Sequence, residues 1–536
     1  MFCWDLPRST RPIHIASSPS TTVTGTCSCQ EMAPTLPHEL VDYILEFLWD
    51  DIRTLFNCSL TCHRYRGSPM CRHFRGIKPT NIIYIHNRRD LDFVSRVLSS
   101  KRTRRFYEQD NITYIAIGDN PHKPFAHTVP LRISPSHLPD LDVIEIFSTD
   151  WVACRPHPSF FLRLAHFVSV TRLGLYHCRF HFALELRQLT DALPNLTTLH
   201  LIDMTCDQVA IRMQPSHCRH RQTLKELYIP SISVDAYGSA LLGICASYST
   251  VTQLHVYAQC FHSFGHFQTF IRSFPFLTKL SVSSEPNRSP KYLMPVDGTH
   301  ISRQSSKAML PPFSLTSCNA YGLSPAFAEQ MFAWLAGSLS ISILESFTMH
   351  PAEDPTSACG HTIGQLLEKA RNTLKTIHIT LHIPGNKYLF AASLLETLNI
   401  TIYVYEDTRA FDITLHTVTC ILSSITSRHL QNVNLHLVFD FDDFSQRQAD
   451  AIVTKFAPVS PLSSIISRDG PVFAVVLTIG WDDDVMGPIL DAAIDIIPRF
   501  FASWDERGAL DVIIPRMYRI NADQAVGHPV TGSTYA

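Results

Sequence analysis

"VTRLGLYHCRFHFALELRQLTDALPNLTTLHL" runs from Val170 to Leu201. It opens and closes on one six-residue pattern, apolar-x-x-apolar-x-apolar: "VTRLGL" (170–175) and "LTTLHL" (196–201). Between the two hexads, "RQLTDALPNL" (187–196) has helical spacing, and Pro194 stops it before the next strand. Outward from this pair the hexad recurs as "ITYIAI" (112–117), "LDVIEI" (141–146), "LKELYI" (224–229), "VTQLHV" (251–256) and "LTKLSV" (277–282). It continues as "LTSCNA" (315–320), "LESFTM" (344–349), "LKTIHI" (374–379), "LETLNI" (395–400) and "LQNVNL" (430–435). From 112 to 277 the starts are 29, 29, 26, 28, 27 and 26 residues apart; later gaps are 38, 29, 30, 21 and 35. "IIYI" (82–85) and "VFAVVL" (472–477) are outliers at the two ends. "FVSRVLSS" (93–100), "IGQLLEKAR" (363–371) and "QADAIVTKFA" (448–457) have helical spacing and fall between hexads.

The apolar positions define the hexad, so independent support must come from the others. Side chains of a strand alternate faces, so the third and fifth positions are expected to face solvent together on the concave side, away from the core. They read Tyr114/Ala116, Val143/Glu145, Arg172/Gly174, Thr198/His200, Glu226/Tyr228 and Gln253/His255. Then come Lys279/Ser281, Ser317/Asn319, Ser346/Thr348, Thr376/His378, Thr397/Asn399 and Asn432/Asn434. Only Val143, Ala116 and Gly174 lack a polar group. A half-buried parallel sheet gives this alternation; a doubly wound sheet buries both faces and does not.

The spacing resembles leucine-rich repeats that alternate a strand with a helix or helical turn. The family's Asn or Cys after the strand is mostly absent, and Cys178 occupies it once. The fold class expected is therefore α/β, a leucine-rich-repeat-like solenoid over 77–515 with irregular later repeats. No repeat covers its own apolar edge, so neighbours stack, and the surface is long enough to hold a protein segment. The candidate recognition patch is the His200–Tyr228–His255 stack with Arg172, Glu226 and Lys279 beside it.

Near the start, "LPHELVDYILEFL" (36–48) places Leu40, Ile44 and Leu48 on one helical stripe widened by Val41 and Leu45. Pro37 suits the first turn, and Glu39 faces the positive end of the helix dipole. "DDIRTLFNCSLTCHRYR" (50–66) reads as a second helix, and "MCRHFRG" allows a short third. So small a unit rarely buries enough surface to stand alone. Either it packs on the rest of the chain or a partner covers it. These residues resemble the F-box, in the style of mushroom-forming fungi. Leu36, Pro37, Glu39, Leu40, Ile44, Leu45 and Leu48 fit the first half of the family pattern. Leu55, Cys58, Ser59, Leu60 and Cys62 fit the second. Tyr65 stands where the family usually has Trp. The resemblance covers 36 to about 76. It implies docking on a Skp-type adaptor and, through it, a cullin-based ubiquitin ligase. Leu36, Pro37, Leu40, Ile44, Leu48, Leu55, Ser59, Leu60, Cys62 and Tyr65 would form the adaptor-binding set. The repeat domain would hold a protein substrate and the partners would carry the catalysis. A non-ligase scaffold and an enzyme on the C-terminal α/β region are the alternatives.

Composition narrows the rest. Apolar residues make up 45% of 536 and charged residues 17%, with net charge −2. A packed chain follows, with no electrostatic excess pointing to nucleic acid. "KRTRR" (101–105) is read as solvated surface. Residues 1–33, rich in Ser, Thr and Pro, are expected to be a disordered tail, with helices over 34–76 and a second tail over 516–536. No signal peptide or membrane span is expected. The 15 cysteines are an odd number and read as free thiols in cytoplasm or nucleus. No metal or cofactor is expected. Cys58, Cys62 and His63 lack a fourth ligand, and "DFDDF" (440–444) and "WDDDV" (481–485) read as caps or loops.

Overall fold

The computed structural model describes residues 82–100, 112–208, 223–232, 236–284, 314–337, 343–351, 357–381, 394–404, 421, 427, 429–440, 472–480 and 510–513. The chain divides into two compact parts, Met1–Thr80 and Asn81–Ala536, and every described residue belongs to the second. The F-box set from Leu36 to Tyr65, the 448–457 helix and the 481–485 cluster lie outside the described residues.

The described part is mixed α/β, built on one large open parallel sheet. Its strands are β1 (Ile82–Ile85), β2 (Tyr114–Gly118), β3 (Val143–Phe147), β4 (Arg172–Tyr176), β5 (Arg179–Phe182), β6 (Thr198–Gln208), β7 (Glu226–Ile232) and β8 (Gln253–Tyr257). They continue as β9 (Lys279–Ser283), β10 (Ser317–Leu323), β11 (Ser346–Pro351), β12 (Thr376–Leu381), β13 (Thr397–Val404), β14 (Asn432–Asp440), β15 (Val472–Gly480) and β16 (Leu510–Ile513). Strand order follows chain order from β1 to β16, with β5 alone off the path, paired to the far end of β6. Eight α-helices are described: α1 (Arg88–Ser99), α2 (Val129–Arg132), α3 (Pro158–Leu164), α4 (Ala183–Ala192), α5 (Ala236–Cys245), α6 (Phe264–Ile271), α7 (Pro325–Gly337) and α8 (Ser357–Ala370). None is long and apolar enough to cross a membrane.

Every described hexad becomes a strand, and all pair in one register. The fourth positions form a continuous ladder: Ile115, Ile144, Leu173, Leu199, Leu227, Leu254, Leu280, Cys318, Phe347, Ile377, Leu398 and Val433. All are buried in a single core shared with the helices. Large and small alternate where the ladder departs from leucine: Cys318 stands beside Phe347, whose ring packs edge-on to Phe332 of α7, centroids 5.6 Å apart.

The second hexad position carries a fastener. Its carbonyl accepts two N–H groups from the following hexad. Thr171 O takes Thr197 N (2.8 Å) and Thr198 N (3.0 Å); Thr252 O takes Thr278 N (2.8 Å) and Lys279 N (2.9 Å). The same pairing recurs from Thr113 to Glu396. Threonine adds a side-chain bond at some steps: Thr278 Oγ1 donates to Thr252 O, and Thr316 Oγ1 to Thr278 O. Each strand thus enters the sheet with its backbone donors satisfied, which a buried edge requires. Past Tyr228 the pairing of β6 with β7 slips, where Pro230 has no N–H to give.

Cys178, Cys206, Cys245, Cys260, Cys318 and Cys359 are buried free thiols, and Cys154 is half-exposed. Burial pushes Cys178 and Cys318 up to about 12 and Cys359 up to about 11. The thiolate is the nucleophile, so native iodoacetamide treatment labels Cys154 ahead of these six. Peptide mass spectrometry showing Cys318 labelled as fast as Cys154 would contradict this packing.

Candidate binding face of the sheet

The third and fifth hexad positions lie side by side on the face opposite the core. The fifth-position row runs Tyr84, Ala116, Glu145, Gly174, His200, Tyr228, His255, Ser281, Asn319, Thr348, His378, Asn399, Asn434. The expectation that these positions are open to solvent needs correction. Most are half-buried, and Ala116, Gly174, Thr198 and Ser281 are buried. Neighbours about 4.8 Å apart cover one another's flanks.

His200, Tyr228 and His255 lie side by side with ring centroids 5.1 Å and 5.6 Å apart, but the rings are tilted by 44° and 53° rather than stacked. Burial lowers the basicity of His200, outweighing the pull of Glu145 and Glu226. It lowers that of His255 too, with His200 and Lys279 adding to the effect against Glu226. Burial raises the Tyr228 phenol, which is hydrogen-bonded to Tyr257. Glu226 accepts from Thr198 Oγ1 at 3.3 Å. Lys279 is exposed at the far side of these rings. Arg172 is in the row but drawn to the strand entry, where Nε (3.1 Å) and Nη2 (2.7 Å) bind Asp142 Oδ2.

A second arrangement on the same face was not singled out from the residues. Glu145 is held between two phenols: Tyr114 donates to Oε2, and Tyr176 to Oε1 at 2.9 Å. Burial and the adjoining carboxylate push both phenols up. Tyr176 lies flat on Phe147, centroids 4.5 Å apart. Gly174 makes the clamp possible, because a Cβ there would sit 2.7 Å from a Tyr176 ring carbon and 2.9 Å from Glu145 Cγ. The visible signal was a glycine at a face position flanked by Glu145 and His200.

Further along, Tyr321 stacks on His350 (4.9 Å), which meets His378 edge-on (4.6 Å). Thr380 and His350 Nδ1 are 2.5 Å apart. Asn434 Nδ2 donates to Asn399 Oδ1 at 2.6 Å. No face position from β10 to β14 in the third and fifth rows carries a formal charge at neutral pH once His378 is neutral, as burial holds it. The face is therefore divided by charge: carboxylates and cations occur over β2–β9, while amide, hydroxyl and ring side chains without formal charge line β10–β14.

A catalytic reading would need convergent titratable groups. The nearest case is Cys154 beside His127, whose sulfur is 3.3 Å from Nδ1 and 3.5 Å from Nε2. A sulfur in the ring plane cannot approach both nitrogens so closely without striking Cε1, so it lies over the ring. Burial raises the thiol and lowers the imidazole. The pair is a neutral contact rather than an activated nucleophile. Among the described residues no group of three His, Cys, Asp or Glu is placed to hold a metal ion.

The chain matches no known protein-family model, and no curated protein is significantly similar to it.

Proposed function

We propose that this chain is a substrate-recognition subunit of an F-box type. Helices within 36–76 dock on a Skp-type adaptor and so reach a cullin ubiquitin ligase. The open face of the sheet, read as that of a leucine-rich-repeat-like solenoid, holds a polypeptide. One observation carries the binding half of this reading. The polar third and fifth positions of twelve hexads fall into two continuous rows on one face. They line one long open face on which a polypeptide segment can lie. The adaptor half is supported by the two ordered halves of the F-box pattern between Leu36 and Tyr65.

The test is co-expression of the full chain, and of a Leu40→Asp/Ile44→Asp variant, with a fungal Skp-type adaptor. The full chain is expected to co-elute stoichiometrically on size exclusion. Two buried charges on the apolar stripe abolish that, and the variant elutes alone with its melting temperature unchanged. A full chain that stays folded and monomeric beside the adaptor sinks the ligase reading. An adaptor complex that recruits no cullin leaves a binary scaffold.

A further inference from the structure

The β3–β8 portion of the open face carries two half-buried carboxylates, Glu145 and Glu226. Among the described residues neither forms an ion pair with a lysine or arginine. Half-buried charge is costly unless compensated; the phenols on Glu145 and the Thr198 hydroxyl on Glu226 offset part of that cost, and no neighbouring cation offsets the rest. Arg172 is committed to Asp142. His200 and His255, which flank Tyr228, are held neutral by burial. The Glu145 carboxylate is aimed by its two phenol donors, and each oxygen keeps acceptor capacity toward the open side. Lys279 sits two strands beyond Glu226 and closes the strip to cations on that side.

We infer that this strip receives an extended basic segment of a partner polypeptide, with Glu145 and Glu226 each taking a cationic side chain. The inference rests on the open face being a binding surface; it does not rest on adaptor docking. The spacing is specific. From β3 through β4 and β6 to β7 is three steps of about 4.8 Å, and the two residues differ by two hexad positions, so their Cα atoms are roughly 16 Å apart. In an extended chain, side chains four residues apart share a face and are separated by about 13–14 Å. The long arms of arginine or lysine cover the difference. Two cations at i and i+4 fit; adjacent cations point to opposite sides.

Fluorescence anisotropy on the full chain tests this with labelled 11-residue Gly/Ser peptides. One carries arginines at positions 4 and 8, one glutamates at those positions, and one arginines at 4 and 5. The first is expected to bind and to weaken with added salt. Glu145→Gln and Glu226→Gln each weaken it about fivefold. The double variant weakens it about 25-fold, because sites this far apart act independently. Glu368→Gln, on α8 and paired with Arg371 at 2.8 Å, leaves binding unchanged. Each variant is checked by its melting temperature; glutamine is isosteric, and its amide still engages both phenols. Equal binding of the arginine and glutamate peptides overturns the inference. So does no binding of the 4,8-arginine peptide, or full affinity in the double variant. Running the adaptor co-elution on the same samples separates the two readings, since either result can fail while the other stands.

Discussion

Replacing Phe347 by alanine is expected to cost about 3–5 kcal/mol of stability, read as a lowered urea midpoint. Phe347 is fully buried in the ladder between Cys318 and Ile377, with Phe332 against its edge. No neighbour can slide in to fill the space, because each ladder position is fixed by backbone pairing on both sides. The small residue next to it makes a sharper test. Cys318→Leu alone adds volume beside the full ring and is expected to destabilise by about 1–3 kcal/mol. Combined with Phe347→Leu, it restores the leucine ladder seen from Leu173 to Leu280, and the pair should cost less than the sum of the singles. Additive losses would mean the two side chains do not share their space.

Acidification from pH 7 to pH 5 is expected to lower the melting temperature substantially. Burial lowers the basicity of His127, His200, His255, His266, His378 and His436 below the ordinary 6.5. The unfolded chain then binds protons before the folded one does. Stability is complete above about pH 6.5 and is lost as pH falls from there through each ring's lower folded value. Each proton taken up only by the unfolded chain steepens that loss by about 1.4 kcal/mol per pH unit. Partial exposure of the rings reduces the total. Asp142 behaves with the opposite chemistry and the same sign. Burial alone would raise it, but hydrogen bonds from Thr171 and Arg172 hold it below the usual carboxylate range. Its share therefore persists to lower pH and disappears in a second phase. A His200→Gln/His255→Gln/His378→Gln variant should flatten the first phase and spare the second. A melting temperature flat from pH 7 to 5 in the unmodified chain would refute the account.

Much of the sheet could be read from residues because hexads report their own register. Leu199, Leu227 and Leu254 are each fourth in a hexad and lie beside one another; the rings of His200, Tyr228 and His255 follow at the fifth. Features built across positions escaped. Tyr176 lies one residue past its hexad, so its reach over Gly174 to Glu145 appears only when three strands are side by side. The pairing of Arg172 with Asp142, second in the preceding hexad, is likewise visible only once the strands are side by side. The fifth strand, "RFHF", carries no hexad and exists because Arg179–Phe182 can pair with the extended end of β6. The last strand, "LDVI", is too short to announce itself. The left-handed residues Ser148, His177 and Asp203 each fall two residues after the hexad, at φ of 57°, 54° and 52°. None is glycine, so no residue type marked that turn.

The double-acceptor carbonyl at the second hexad position bears on how such a chain can change over generations. It ties each strand only to its successor, through backbone atoms that any residue but proline supplies. A whole repeat can therefore be duplicated or lost, and the strands on either side meet the same fastener. Positions one, four and six answer to the core; positions three and five line the open face. Substitution at the latter changes the chemistry of that face while the architecture stays as it was.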